Sequence, residues 1–176
     1  GTGNLARTIF AEYPQVEFDL VDFSEPMLNE VDNVLAEFKG NYRKVKGDIF
    51  SIDFSPGEYD AVVSSFAIHH GRGEEEYGQL YSRIYSWLAD GGIFINCDPV
   101  AGDNNYLTKL NEQTWADYLQ SAGFAEVDIK QMFNNYYRED SPISLNSHFR
   151  LLQKAEFKAI DVLWKKYNFA VYLGVK

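Results

Sequence analysis

Cysteine is nearly missing from the sequence. Cys97 is the only one among 176 residues, so no internal disulfide can staple the fold, and a reducing, cytoplasmic setting is the expectation. No apolar run approaches the ~20 residues of a membrane span, and no charged-then-apolar leader opens the chain, so no membrane contact is expected. Positive charge is in deficit. Lys and Arg total 16 against 26 Asp and Glu, and the formal net charge of −10 disfavours nucleic acid as a partner. Repeats and low-complexity stretches are absent too, and the three histidines and one cysteine lack zinc-type spacing, so no metal site is expected. What remains is an ordinary globular balance, 45% hydrophobic and 24% charged, sized for a single domain over residues 1–176.

Two hydrophobic periods alternate along the chain. Leu5, Ile9 and Phe10 share a helical face in Asn4 to Tyr13, stopped by Pro14; Val16, Phe18 and Leu20 then alternate as a strand ending at Asp22. Ser24 suits the N-cap of a second helix, whose stripe is Met27, Leu28, Val31, Val34, Leu35 and Phe38 and whose stop is Gly40. Tyr42 to Lys46 reads as a strand halted by Gly47-Asp48. The nearly continuous apolar run Tyr59 to Phe66 reads as a central parallel strand covered on both faces. Glu74 to Leu88 is helical, with its three opening Glu residues favourable to the dipole, and is expected to stop at Gly91-Gly92 before the strand Ile93 to Asp98. Alternation of this kind predicts an α/β fold, a mostly parallel sheet with helices on both faces.

After Asp98 the pattern changes. Asn104 to Arg138 is helical with a break near Gly123, a helical cover of about residues 103–140 rich in Tyr106, Trp115, Tyr118, Phe133, Tyr136 and Tyr137. Such aromatics suit a core stripe or an acceptor pocket, and their surface would suit pairing of two subunits as a homodimer. A helix through Leu145, Phe149 and Leu152 precedes two strands centred on Val162 and Val171, which so short a connection makes antiparallel.

Chemistry concentrates at the strand ends. Gly1-Thr2-Gly3-Asn4-Leu5-Ala6 fits a glycine-rich nucleotide turn that opens a helix, and nineteen positions after Gly3 comes Asp22, placed to accept the two hydroxyls of an adenosine ribose. His69 and His70 follow the Tyr59 strand and could take a proton from an oxygen or nitrogen nucleophile, or bond to backbone. Asp98 sits at the carboxyl end of its strand, where ligands bind, and equally suits a turn before Pro99. His148, in a helix beside Phe149, reads as a surface or satisfied residue.

These residues resemble the class I S-adenosylmethionine-dependent methyltransferases: Gly1-Thr2-Gly3, then Val21-Asp22-Phe23-Ser24-Glu25-Pro26-Met27-Leu28, then Gly47-Asp48-Ile49, in the family's order. Tyr59 to Val63 running into Ser65 to His70, Leu88 to Gly92 before a strand, and the closing hairpin extend the likeness over nearly the whole chain. It implies a three-layer Rossmann-like fold with a C-terminal antiparallel hairpin strand, S-adenosylmethionine as cofactor, and methyl transfer to a small-molecule acceptor. On that pattern Gly1 and Gly3 pass close to the methionine part and Asp22 holds the ribose. Phe23 and Ile49 face adenine or else pack as core, Asp48 accepts from its amine or else caps a loop, and Ser65 and Phe66 border the methyl-donor end. The family's first strand would lie upstream of Gly1. Without it, the strand ending at Asp22 and the strand Tyr59 to Phe66 are expected to lack a pairing partner between them. Rival readings are a nicotinamide-dependent oxidoreductase, a non-catalytic S-adenosylmethionine-binding module, and an enzyme modifying wobble uridine in transfer RNA, the last resting on the overall layout alone.

Overall fold

Burial of one helical face organises the first part of the chain. In a computed structural model, which describes residues 1–176 with the side chain of Glu139 excepted, the chain divides into two compact units, Gly1–Asp53 and Phe54–Lys176. In the first, α1 (Asn4–Glu12) buries Ala6 and Phe10, one turn apart, while Leu5 is 39% exposed. The buried face is thus one position further round than the apolar pattern suggests. After β1 (Phe18–Asp22), α2 (Glu25–Val34) buries Leu28 and Val31, with Leu35 just beyond its end, and leaves Met27 47% exposed. Ser24 stands at the N-cap, yet its hydroxyl makes no capping bond; its backbone N–H donates to Asp22 Oδ1 at 2.7 Å. Phe10 stacks on Phe38 with ring centroids 4.5 Å apart and meets Phe18 edge-on at 5.0 Å, which closes this small core. β2 (Tyr42–Lys46) pairs parallel with β1, Phe18 opposite Tyr42 and Asp22 opposite Lys46, so both strands end at the same edge of the unit.

The second unit holds a four-stranded sheet in the order β3-β4-β6-β5. β3 (Tyr59–Ser65) pairs parallel with β4 (Leu88–Pro99), with α3 (Glu74–Trp87) connecting them. β5 (Ala159–Lys166) and β6 (Phe169–Val175) form the expected antiparallel hairpin, and β6 also runs antiparallel to β4, so this sheet is mixed. β3, expected at the centre and covered on both faces, forms an edge of this sheet and has no fully buried residue. β1 and β3 belong to separate sheets, and no ladder pairs them directly among the described residues. Gly91 and Gly92 do not stop α3, which ends at Trp87. They lie inside β4, where Leu88 to Ile93 spans the stretch opposite Tyr59 to Ala61, so the glycines form an irregular bulge, with Gly91 at φ 77°.

The predicted cover is two helices, α4 (Asn105–Ser121) and α5 (Glu126–Glu139), with the turn between them at Gly123. Asn104 caps α4 by accepting from Leu107 N at 3.0 Å, and Ser144 caps α6 (Leu145–Lys154) by accepting from Ser147 N at 3.2 Å. α3 buries Tyr77, Leu80, Tyr81, Ile84 and Trp87, the stripe its spacing predicts.

Within this core runs a chain of polar groups. Asn96 Nδ2 donates to the Tyr172 hydroxyl at 2.8 Å, Tyr172 and Tyr81 hydroxyls lie 3.0 Å apart, and the Tyr81 hydroxyl shares a hydrogen bond with His148 Nδ1 at 2.6 Å. His148 is the satisfied residue of the two alternatives, buried rather than on the surface. Burial pushes its pKa from 6.5 down to about 3, the nearby Glu74 charge opposing weakly, and pushes both phenols well above their ordinary value.

Phe10→Ala should lower the free energy of unfolding of the first unit by about 3–5 kcal/mol in a urea titration, and Leu5→Ala by no more than about 0.5 kcal/mol. Acid should weaken the second unit. The folded pKa of His148 lies below its unfolded value, so its contribution is complete above about pH 6.5 and is lost as pH falls towards 3, at about 1.4 kcal/mol per pH unit. Urea unfolding at a series of pH values should show this slope reduced in His148→Asn.

Candidate functional site

The carboxyl end of β1 carries the first group of candidate residues. Gly3 starts α1 at φ 89°, a left-handed conformation that a side chain would strain, and an added Cβ would stand 3.4 Å from Leu35. The turn therefore stays tight and leaves helix N–H groups accessible at its mouth. Asp22 is held beside this turn. Its Oδ1 accepts from Ser24 N and its Oδ2 lies against Gly1, so Gly1, Gly3 and Asp22 are brought together. Phe23, next in sequence, presents its ring to solvent at 71% exposure, so it does not pack as core. An apolar ring next to a carboxylate at a strand end is the composition that a nucleoside needs, one side flat and apolar, the other accepting hydrogen bonds. Asp48 follows β2 at the same edge. Its Oδ1 accepts from Phe50 N at 2.9 Å, which leaves the exposed carboxylate with a free oxygen, and Ile49 beside it is half-buried.

The second unit gathers its candidates at the carboxyl ends of β3 and β4. Ser65 lies opposite Cys97 in the ladder, and Phe66 N donates to Cys97 O at 2.9 Å. Phe66 itself adopts φ 53° and is 55% exposed. An aromatic residue in that region of backbone space costs of order 1–3 kcal/mol, a strain characteristic of ligand-facing positions. A short 3₁₀ turn, Ile68–His70, follows.

This turn is built on a buried carboxylate. Asp98 Oδ2 accepts from Ile68 N at 3.0 Å, His69 N at 3.1 Å and Asn96 Nδ2 at 3.2 Å, while Oδ1 accepts from His69 Nδ1 at 2.6 Å. Of the two readings of Asp98, a turn before Pro99 or a ligand-side group, the structure shows a carboxylate that organises the His69 turn from within. Burial disfavours a charged His69 ring, but the hydrogen bond and charge of Asp98, then the charge of Asp140, outweigh it and raise the pKa. His70 is half-exposed. Both rings approach one carboxylate oxygen, Asp140 Oδ1, His69 through Nε2 at 3.4 Å and His70 through Nδ1 at 3.3 Å. Asp140 carries no signal in the sequence, since it lies some seventy residues beyond the turn, just after α5, and only the fold delivers it. Asn96, which links Asp98 to Tyr172, is likewise invisible in the apolar pattern of β4.

The cover's aromatics divide between core and surface. Trp115 meets Phe133 and Phe169 edge-on at 5.1 and 4.9 Å, whereas Tyr106 and Tyr137 are mostly exposed.

Comparison with known proteins matches the methyltransferase domain family to residues 1–92. The carboxy-S-adenosyl-L-methionine synthase of Nautilia profundicola is 25% identical over 156 residues, 89% of this chain and 65% of that protein. The Campylobacter fetus protein of the same name is 28% identical over 99% of this chain and 74% of its own length. Among solved structures, a phosphoethanolamine N-methyltransferase from Haemonchus contortus, in complex with phosphomonomethylethanolamine and S-adenosylhomocysteine, superposes with a TM-score of 0.73 at 17% identity, over 100% of this chain and 47% of that one. The chain thus spans about two thirds of the first of these relatives and about half of the solved enzyme. The glycine turn, the carboxylate closing β1 and the Rossmann-like α/β elements agree with that match over more than half the sequence: the chain belongs to the class I S-adenosylmethionine-dependent methyltransferase family.

Proposed function

We propose that the chain binds S-adenosylmethionine and serves in transfer of the methyl group from its sulfonium to a small acceptor. The observation that carries this reading is Asp22, a carboxylate at the end of β1 held against the Gly1–Gly3 turn with the exposed ring of Phe23 beside it. Asp22 would accept the two ribose hydroxyls, and Gly1 and Gly3 would admit the methionine part. Phe23 and Ile49 would cover adenine while Asp48 accepts from its amine, and Ser65 and Phe66 would border the donor end. The sulfonium is already activated, so the protein's work is alignment and exclusion of water, with little acid or base chemistry. His69 and His70 would take the acceptor's proton where one must leave.

A second reading has its own support. The relatives from Nautilia profundicola and Campylobacter fetus are named as synthases of carboxy-S-adenosyl-L-methionine, and they match 89% and 99% of this chain. On that reading S-adenosylmethionine is the substrate and its methyl group is altered and retained. The same nucleoside contacts serve both, so mass spectrometry of the nucleoside product distinguishes them: S-adenosylhomocysteine for methyl transfer, a carboxylated S-adenosylmethionine for the alternative.

Calorimetric titration with S-adenosylhomocysteine tests the shared step. Asp22→Ala should weaken binding about a hundredfold, the loss of two hydrogen bonds to a charged group at ~1.5 kcal/mol each. An unchanged affinity in this variant would remove Asp22, and with it the reading, from the site.

A further inference from the structure

We propose that His69, His70 and Asp140 form a binding site for a divalent transition-metal ion of the zinc class. Their ligand atoms, His69 Nε2, His70 Nδ1 and a carboxylate oxygen of Asp140, all lie within 4.8 Å of one another. The two distances to Asp140 Oδ1, 3.4 and 3.3 Å, are too long for charge-assisted hydrogen bonds, which close to about 2.7–2.9 Å. They match another geometry. A tetrahedral ion with bonds of about 2.05 Å separates its ligand atoms by about 3.3 Å, so both nitrogens stand at the spacing that a shared zinc ion imposes against this oxygen.

The supporting contacts point the same way. With His69 Nδ1 donating to the Asp98 carboxylate in their 2.6 Å contact, Nε2 is the nitrogen that offers a lone pair towards Asp140 when the ring is neutral, the form a metal ion binds. A carboxylate behind a histidine is the arrangement that orients imidazole ligands and raises their basicity in zinc sites. Backbone bonds hold the third ligand in place: Ser141 N donates to His69 O at 3.2 Å and Asp140 N to Tyr136 O at 2.9 Å, which ties the end of α5 to the histidine turn. Exposure completes the arrangement. His69 and Asp140 are largely covered at 8% and 15%, while His70 is open at 47%, so an ion held by three protein ligands would have its fourth position accessible to water or an oxygen of a small molecule. Two nitrogens and one oxygen favour zinc over magnesium or calcium, which take oxygen ligands.

The inference does not rest on the nucleoside reading, and a bound ion would occupy the histidine nitrogens otherwise offered to the acceptor's proton. Titration of the metal-free chain with zinc sulfate, followed by calorimetry, should give one site per chain, and cobalt(II) should produce the intense visible bands of a tetrahedral site. His70→Ala, at an exposed position that leaves the core intact, and Asp140→Asn should each weaken zinc at least tenfold, with circular dichroism confirming an unchanged fold. Absence of zinc binding, or binding that both variants retain at full strength, would overturn the proposal. Preserved S-adenosylhomocysteine affinity in Asp140→Asn would show that loss of metal and loss of the nucleoside site are separate events.

Discussion

A carboxylate removed from water must be surrounded by donors, and in the second unit Asp98 meets that requirement with four. Two are backbone N–H groups of the turn after β3, one is the His69 ring, and one is the Asn96 amide two residues back on its own strand. Removing any one of them would leave the buried carboxylate a donor short, at a cost of about 1–3 kcal/mol. The carboxylate therefore dictates where the turn sits and which way His69 faces. Asn96 carries the constraint inward to Tyr172 on β6, Tyr81 on α3 and His148 on α6, so one polar chain ties the ligand-side edge of the sheet to its helical layer.

The first unit follows a different logic. Its core is small and apolar, built from Phe10, Phe18, Phe38 and the aliphatic stripe of α2, and the candidate carboxylates Asp22 and Asp48 lie at the ends of its two strands. Asp22 is engaged by local backbone and by the glycine turn rather than by a buried network. Phe23 and Phe66 share one property: each exposes a large apolar ring directly after a strand. Phe66 also meets Phe169 and His69, with ring centroids 5.9 and 6.4 Å away.

Much of the architecture was legible because it rests on period and punctuation. The helix and strand alternation, the Gly123 break and the closing hairpin all follow from apolar spacing and turn residues within a short window. The glycine turn and Asp22 were legible as a pair because their chemistry needs a fixed strand–helix spacing. Three features misled the pattern. Leu5 is apolar yet lies off the buried face of α1, the Gly91-Gly92 pair bulges a strand instead of ending a helix, and the unbroken apolar run of β3 forms an edge of its sheet. In each case tertiary pairing decided between local conformations that the residues allow equally.

By itself the sequence determined the α/β class, the order of elements, the family likeness and the carboxylate beside a glycine turn, because these depend on neighbours within one or two elements. Only the tertiary structure decided that Asp98 is a buried organiser, that His148 is neutral and enclosed by phenols, and that Asp140 meets the two histidines. Those three outcomes join residues that lie from 24 to 91 positions apart in the chain, or rest on burial, and neither long-range proximity nor exclusion of water is written into a local pattern.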